Sequence, residues 1–536
     1  MPETRRHARL AIALTTGALA VGGAVVPAGA SLAAPPSPAA TATPAAAAGA
    51  PSVGASGIGD ELFPTLGNGG YDARHYDLRL RYATAAPGQG IDGTLIMRAR
   101  ATESLRVFDL DFGGDAVGGV RVDGRAAAFR RRGEELVITP ARKIRRGHTF
   151  RVRVDHFTAH PRVASAQTFG AIAFVVTPDG SVTAGQPAVM HDVFPSNDHP
   201  RDKASFTFHF DVPVGQTAVA NGVLARKQVK GTRSIWTYEQ RQPMATELTQ
   251  LTVGRYTVVR RAAVRGVQVR DVVPTRLLPQ YRDKLGIVRQ QLRWMEDRVG
   301  RYPFPDYGSL IADADLGFAL ETQTLSLYDG SLFDRPPDGW EPVMLHELAH
   351  QWFGDSVAPY AWSDVWLNEG HTTWYELTYA ADRGYLEAYT GAGDLTELAQ
   401  QLYALGDEFR DQFGPVARPR SGNPRDVFSP NAYAGGALTL YALRQKIGAS
   451  AFDRMERAWV RRYRGRSAST EDFIRLATRV SGQADVDPFL RDWLYGTTTP
   501  PMPGHPDWTV APVGSDAAKA AARSVPIERL RALRHR

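Results

Sequence analysis

Cysteine is absent from all 536 residues. That excludes disulfides, thiolate metal sites, cysteine nucleophiles and a lipid-modified N-terminal cysteine. A large excess of one sign of charge is also missing. Lys and Arg total 63 against 56 Asp and Glu, a net +7 with no concentrated basic face in the motifs, so no nucleic-acid partner is expected. Beyond the first 30 residues there is no run of about 20 apolar residues, which removes a reason to expect a membrane span. No internal repeat is present. Charge is missing entirely from residues 31–59, where Ala, Pro, Ser, Thr and Gly dominate. Such a stretch has little to bury and reads as a flexible spacer.

What is present is ordinary globular material, 43% hydrophobic and 22% charged. Its length predicts two or three domains. At the N-terminus, Arg5, Arg6, His7 and Arg9 precede an apolar run from Leu10 to Val26, closed by Ala28-Gly29-Ala30. Basic start, short apolar core and small-x-small end are the parts of a signal peptide, so residues 1–30 are expected to be removed. A membrane anchor needs a longer, more apolar span. Arg5-Arg6 also admits twin-arginine export, with Ala8 at the expected apolar position. The remaining chain is expected outside the cell, secreted or wall-associated, with no stable membrane insertion. A core of this size does not need disulfides there.

From about 74 to 258 the hydrophobic period is two. Tyr76, Leu78, Leu80 and Tyr82 alternate with polar residues, as do Phe150, Val152 and Val154, and Phe206, Phe208, Phe210 and Val212. This predicts a mostly antiparallel β domain over 60–258. From about 280 the period lengthens. Leu285, Val288, Leu292, Met295 and Val299 mark one helix face. Further helices are expected near 342–355, 366–382, 394–410, 434–447 and 471–481. The class is therefore α+β, with a largely helical second domain over 259–503. Residues 504–536 are expected to form a basic tail, carrying Lys519, Arg523, Arg529, Arg531, Arg534 and Arg536 against Glu528.

The chemistry centres on His346-Glu347-Leu348-Ala349-His350. Residues four apart share a helix face, so both imidazoles reach one ion, and Pro342 is expected in the first turn of that helix. Glu347 lies on the adjacent rim, where it reaches a water without becoming a ligand. A catalytic zinc takes three protein ligands and keeps one open position. Glu369, in Trp366-Leu367-Asn368-Glu369-Gly370, is the candidate third ligand, on a second helix packed against the first. Both features together arise by chance in roughly one chain in a thousand of this composition. His371 sits about 200° around that helix from Glu369 and should point away from the metal.

These residues resemble the aminopeptidase N-like family of zinc metallopeptidases, the gluzincin aminopeptidases, including the spacing of Glu369 and its Trp-Leu-Asn-Glu-Gly flank. The resemblance runs from about 60 to 503, a short form without the large C-terminal helical domain of bigger relatives. It implies a saddle-like N-terminal β-sheet domain and a thermolysin-like catalytic domain. Phe318-Ala319-Leu320-Glu321-Thr322 lies where the family has Gly-x-Met-Glu-Asn. That implies that Glu321 binds the substrate's free α-amino group, with Ala319 lining the same subsite. Phe318 and Thr322 depart from the pattern. Tyr433, in Tyr433-Ala434-Gly435-Gly436-Ala437, resembles the family tyrosine that donates to the oxyanion. Gln186, ahead of Phe194-Pro195-Ser196-Asn197-Asp198, matches the Gln or Glu at the amine-binding end, while Asp198 and Lys203 read as structural.

The resemblance thus implies one Zn2+ per chain held by His346, His350 and Glu369. It implies peptide hydrolysis by a metal-activated water with Glu347 as base, on substrates with a free N-terminus. The oligomeric state is unspecified, a monomer being favoured. Three rivals remain open: a zinc endopeptidase of similar scaffold, which needs no ammonium anchor, a catalytically silent binding protein, and a surface binder driven by the basic tail.

Overall fold

The computed structural model describes residues 52–165, 170–420, 427–516 and 518. The expected signal peptide, residues 31–51 of the spacer and the basic end from 519 lie outside the described residues. Among the described residues no helix is long and apolar enough to cross a membrane.

The period-two segments form sheets. Eight strands pair in the order Val223–Lys230, Arg233–Met244, Ala204–Pro213, Tyr71–Arg81, Ile91–Ala101, Thr149–Ala159, Gly119–Val122 and Arg125–Ala126. The inward residues Leu78, Leu80, Phe150, Val152, Phe208 and Phe210 are buried, as alternation requires. One pair departs from the antiparallel expectation, because Ala204–Pro213 runs parallel to Tyr71–Arg81. Two four-stranded sheets pack on this one.

The expected spacer ends too late. Ser52–Val53 pairs in parallel with the strand Leu105–Asp111, and the Gly54 amide donates to the Val107 carbonyl at 2.9 Å. Backbone pairing needs no charged side chains, so an uncharged stretch joins a sheet edge. Asp60 then ties this segment to the helical part. Its carboxylate accepts from the amides of Leu62, Phe63 and Trp362 and lies 3.1 Å from His199 Nε2.

The expected boundary at 258/259 falls inside a strand. Tyr256–Val264 opens a five-stranded mixed sheet with Val267–Pro274, Asp306–Ala312, Ser326–Asp329 and Ala319–Leu320. Buried continuously on both faces, Asp306–Ala312 carries no alternation to read. Val272, Leu310 and Leu327 on this sheet join the β-domain core, while Val269, Tyr307 and Tyr328 join the helical core. One sheet therefore serves as the wall between both.

The helical part contains Val288–Val299, Pro337–Ala349, Trp366–Asp382, Leu395–Ala404, Gly406–Phe413, Gly436–Ile447, Ala449–Tyr463, Thr470–Ser481 and Val486–Tyr495, with shorter turns between. Leu285, Val288, Leu292, Met295 and Val299 are all buried, on one helix and the turn before it. Pro342 lies inside its helix, not in the first turn. Pro337 takes that place. The expected tail starts too early as well. Trp508 stacks on His505 at 4.1 Å and on Tyr441 at 6.2 Å, so the chain is still packed past 504.

Candidate active site

The helix Pro337–Ala349 is buried nearly all round, which fixes its rotation in the core. His346 lies in its last turn and His350 caps it. The two rings lie 4.7 Å apart. The helix Trp366–Asp382 packs against it and brings Glu369 to both rings. Glu369 Oε2 is 3.3 Å from His346 Nε2 and 3.5 Å from His350 Nε2. The three ligand atoms lie within 4.8 Å of one another, and all three residues are buried. Ligands bound to zinc at 2.0–2.2 Å in tetrahedral array sit roughly 3.4 Å apart, so the donor set fits one zinc ion in both type and spacing.

The electrostatics agree. Burial works against a charged imidazole at His350, yet the carboxylates of Glu321, Glu369 and Glu347 push it up to about 10. Buried negative charge therefore exceeds what the histidines balance, and a divalent cation neutralises such a cluster.

The other nitrogen of each ligand is also held. His346 Nδ1 lies 2.6 Å from Glu376 Oε2, and the Tyr389 hydroxyl donates to the second oxygen of that carboxylate. His350 Nδ1 faces the Phe353 carbonyl at 3.1 Å. These partners leave Nε2 of both rings toward Glu369. Glu376 was not singled out from the sequence, though it lies seven residues after Glu369, on the same helix face. The surviving signal is that i, i+7 spacing alone.

Glu347 is buried, and its carboxylate lies within 4.8 Å of ligand-type atoms of both His350 and Glu321. Glu321 follows the short edge strand Ala319–Leu320, with Ala319 half-buried against the helical core. Gln186 Nε2 donates to Glu321 Oε1 at 2.8 Å. The β domain thus reaches the centre directly. Gln351, not anticipated, staples this segment to the metal helix: its Nε2 donates to the Glu321 carbonyl, and its Oε1 accepts from the Thr324 amide at 2.8 Å and the Tyr302 hydroxyl. Thr324 takes φ 67°, a costly left-handed conformation for a β-branched residue, and Gly222 N also donates to its hydroxyl. Thr322, which departs from the family pattern, donates its hydroxyl to the Leu325 carbonyl inside this turn. Phe318 packs against the β-domain core.

Tyr433 comes from a π-helical turn, Asn431–Gly435, that runs into the helix Gly436–Ile447. Its ring stacks on His346 at 6.2 Å between centroids. That approach depends on glycine. A Cβ on Gly370 would lie 2.9 Å from Gly436 Cα, and one on Gly436 would lie 2.8 Å from Gly370 Cα. The two helices therefore touch backbone to backbone beside Glu369. His371 points away, stacked on Phe353 at 4.5 Å with Nδ1 on the Leu367 carbonyl.

Behind the site, Lys203 Nζ donates to the carbonyls of Asp355 and Ser356, just after the metal helix. Burial pulls its ammonium down to about 8. Asp198 accepts from His191 and from the Thr246 hydroxyl. Both act as structural struts.

Fold and centre together define a class: a β domain joined to a helical domain that carries a His-His-Glu zinc centre. Comparison with known proteins agrees. The Peptidase family M1 domain matches residues 284–493. An M1 zinc metallopeptidase from Deinococcus radiodurans, solved by crystallography, is 30% identical, with a TM-score of 0.70 over 83% of this chain and 99% of its own. A mutant from the same organism, solved with a Tyr-Ser-Ala substrate, is 30% identical, with a TM-score of 0.71 over 84% of this chain and 100% of its own. Aminopeptidase M1 of Arabidopsis thaliana is 26% identical over 58% of this chain and 36% of its own length. Aminopeptidase N of Streptomyces lividans is 26% identical over 56% and 36%. The chain thus spans about a third of the length of these two relatives, but nearly all of the crystallised one. It belongs to the M1 family of zinc metallopeptidases.

Proposed function

We propose that the protein is a zinc aminopeptidase that removes residues one at a time from the free N-terminus of peptides. The observation that carries the reading is the pairing of Gln186 with Glu321 beside the metal centre. A buried carboxylate at one end of a cleft selects an ammonium and sets the register of the bound peptide. An endopeptidase has no use for that anchor.

His346, His350 and Glu369 hold the zinc, which when bound polarises the scissile carbonyl and acidifies water. Glu347 takes the proton of the attacking water and returns it to the leaving amine. Tyr433 donates a hydrogen bond to the developing oxyanion. Glu321, oriented by Gln186, holds the α-ammonium, and Ala319 lines the subsite next to it. The curated relatives named aminopeptidase and the Tyr-Ser-Ala complex of the Deinococcus metallopeptidase support the same chemistry here.

The pattern of residues 1–30 supports export, so we place the protein outside the cell, secreted or wall-associated; separately, we favour a monomer. Mass spectrometry of the mature N-terminus and gel filtration check these two points. For the activity, a panel of aminoacyl fluorogenic amides is the test. Wild type should turn over several, chelator should abolish turnover, and Glu347→Gln should lose at least 100-fold in kcat at unchanged zinc content. Turnover that ignores both chelator and Glu347→Gln would overturn the assignment.

A further inference from the structure

A second group of metal-type ligands lies in the β domain, outside the site described above. His191 and Asp192 share a short helical turn, Met190–Asp192, and Glu134 sits in the tight turn between the strands Ala128–Arg132 and Glu135–Thr139. One ligand atom from each of Glu134, His191 and Asp192 falls within 4.8 Å of the others. We propose that these three residues form a second divalent-cation site, suited to Zn2+ or Mn2+.

Four features support it. His191 Nε2 lies 3.6 Å from Glu134 Oε2. That is too long for a hydrogen bond, but it is close to the 3.3 and 3.5 Å between ligand atoms in the catalytic group. The other nitrogen, His191 Nδ1, is clamped at 2.7 Å by Asp198 Oδ2, the carboxylate–histidine arrangement that aims a ring nitrogen at a metal. The side chain of Asp192 takes space that only a glycine leaves: a Cβ on Gly113 would lie 2.0 Å from Asp192 Oδ1. Finally, Glu134 and His191 line a cavity of about 560 Å³ together with Glu135, whose buried Oε2 has no hydrogen-bond partner.

The charge count points the same way. A metal on Nε2 takes His191 as the neutral imidazole, which leaves the carboxylates of Asp198, Glu134 and Asp192 against the guanidiniums of Arg131 and Arg162. Arg131 also donates to the carbonyls of Phe112 and Gly114. One imidazole and two carboxylates with solvent on the Glu134 side suit a borderline cation that keeps water ligands. The same cavity is walled by Pro187, next to Gln186.

The test counts metal. Protein holding its catalytic zinc is titrated with Zn2+ by calorimetry, and bound zinc is measured after gel filtration. Two ions per chain are expected for wild type. Glu134→Gln, a change at an exposed side chain, and Asp192→Asn should each weaken the second ion at least tenfold while retaining the first. His350→Ala should do the reverse. Mn2+ added to zinc-loaded wild type should give a bound electron-paramagnetic signal that Glu134→Gln removes. One ion per chain in wild type at 100 µM Zn2+, roughly the upper range for a specific site, overturns the proposal. A second equivalent that survives both carboxylate substitutions is an adventitious ion only and overturns it equally.

Discussion

Gln186 of the β domain donates a 2.8 Å hydrogen bond to Glu321 of the sheet wall, across 135 residues of chain. Both side chains are buried, and Gln351 holds the Glu321 backbone from the metal helix. The amine-binding end therefore needs both domains. A hydrogen bond to a charged group is worth about 1.5–3 kcal/mol. Gln186→Leu should accordingly lower kcat/KM on aminoacyl amides by roughly 10- to 100-fold, mostly through KM. Steady-state kinetics with zinc content held equal reads this out, and an unchanged KM contradicts it.

Glu376 orients His346 and never touches substrate. Removing such a partner costs roughly 10- to 100-fold in metal affinity. Glu376→Gln should therefore release zinc at lower chelator concentration than wild type, and activity should return when excess zinc is supplied. Competition with a chromogenic chelator gives the affinity. Equal zinc retention in both proteins would remove Glu376 from the account.

Gly370 and Gly436 let two helices meet backbone to backbone beside Glu369. The atoms a Cβ at 370 would meet are backbone atoms, so the helices must separate. Overpacking of this kind costs about 1–3 kcal/mol. Gly370→Ala should lower the unfolding midpoint in urea and also move Tyr433 off His346, with a fall in kcat. A variant as stable and as active as wild type would show that the contact does not matter.

Asp202 is buried, and burial pushes its carboxyl up to about 7. Its oxygens accept from the Ala73 amide and from Asn197. The folded state thus binds this proton more tightly than the unfolded state, whose value is near 3.9. The stability from this group is fully present below about pH 4 and is lost as pH rises towards 7, by at most about 1.4 kcal/mol per pH unit. Asp202→Asn removes that slope. Urea unfolding of both proteins at pH 5 and pH 7 should show wild type losing ground to the variant at the higher pH; parallel curves contradict the assignment.

His346, His350 and Glu347 are legible because helix geometry converts a four-residue spacing directly into a shared face, and Glu369 through its fixed later position and its Trp-Leu-Asn-Glu-Gly flank. Glu321, Gln186 and Tyr433 were legible only through family resemblance, since nothing local in the chain says that residues 135 apart will meet. Glu376 and Gln351 were missed for the same reason: their partners are set by how helices and turns pack, and neither belongs to a local motif. In the fold, alternation revealed the half-exposed strands. The wall strand Asp306–Ala312 stayed hidden because burial on both faces erases alternation. Ser52–Val53 was hidden because backbone pairing leaves no mark in composition.

The most direct test of the central claim uses one peptide in two forms, with a free N-terminus and with that amine acetylated. Products are followed by mass spectrometry with wild type and with Glu321→Gln. The account predicts that wild type trims the free form one residue at a time and leaves the acetylated form at least 100-fold slower, the difference collapsing in Glu321→Gln. Equal cleavage of both forms by wild type, or cuts inside the acetylated peptide, would contradict it.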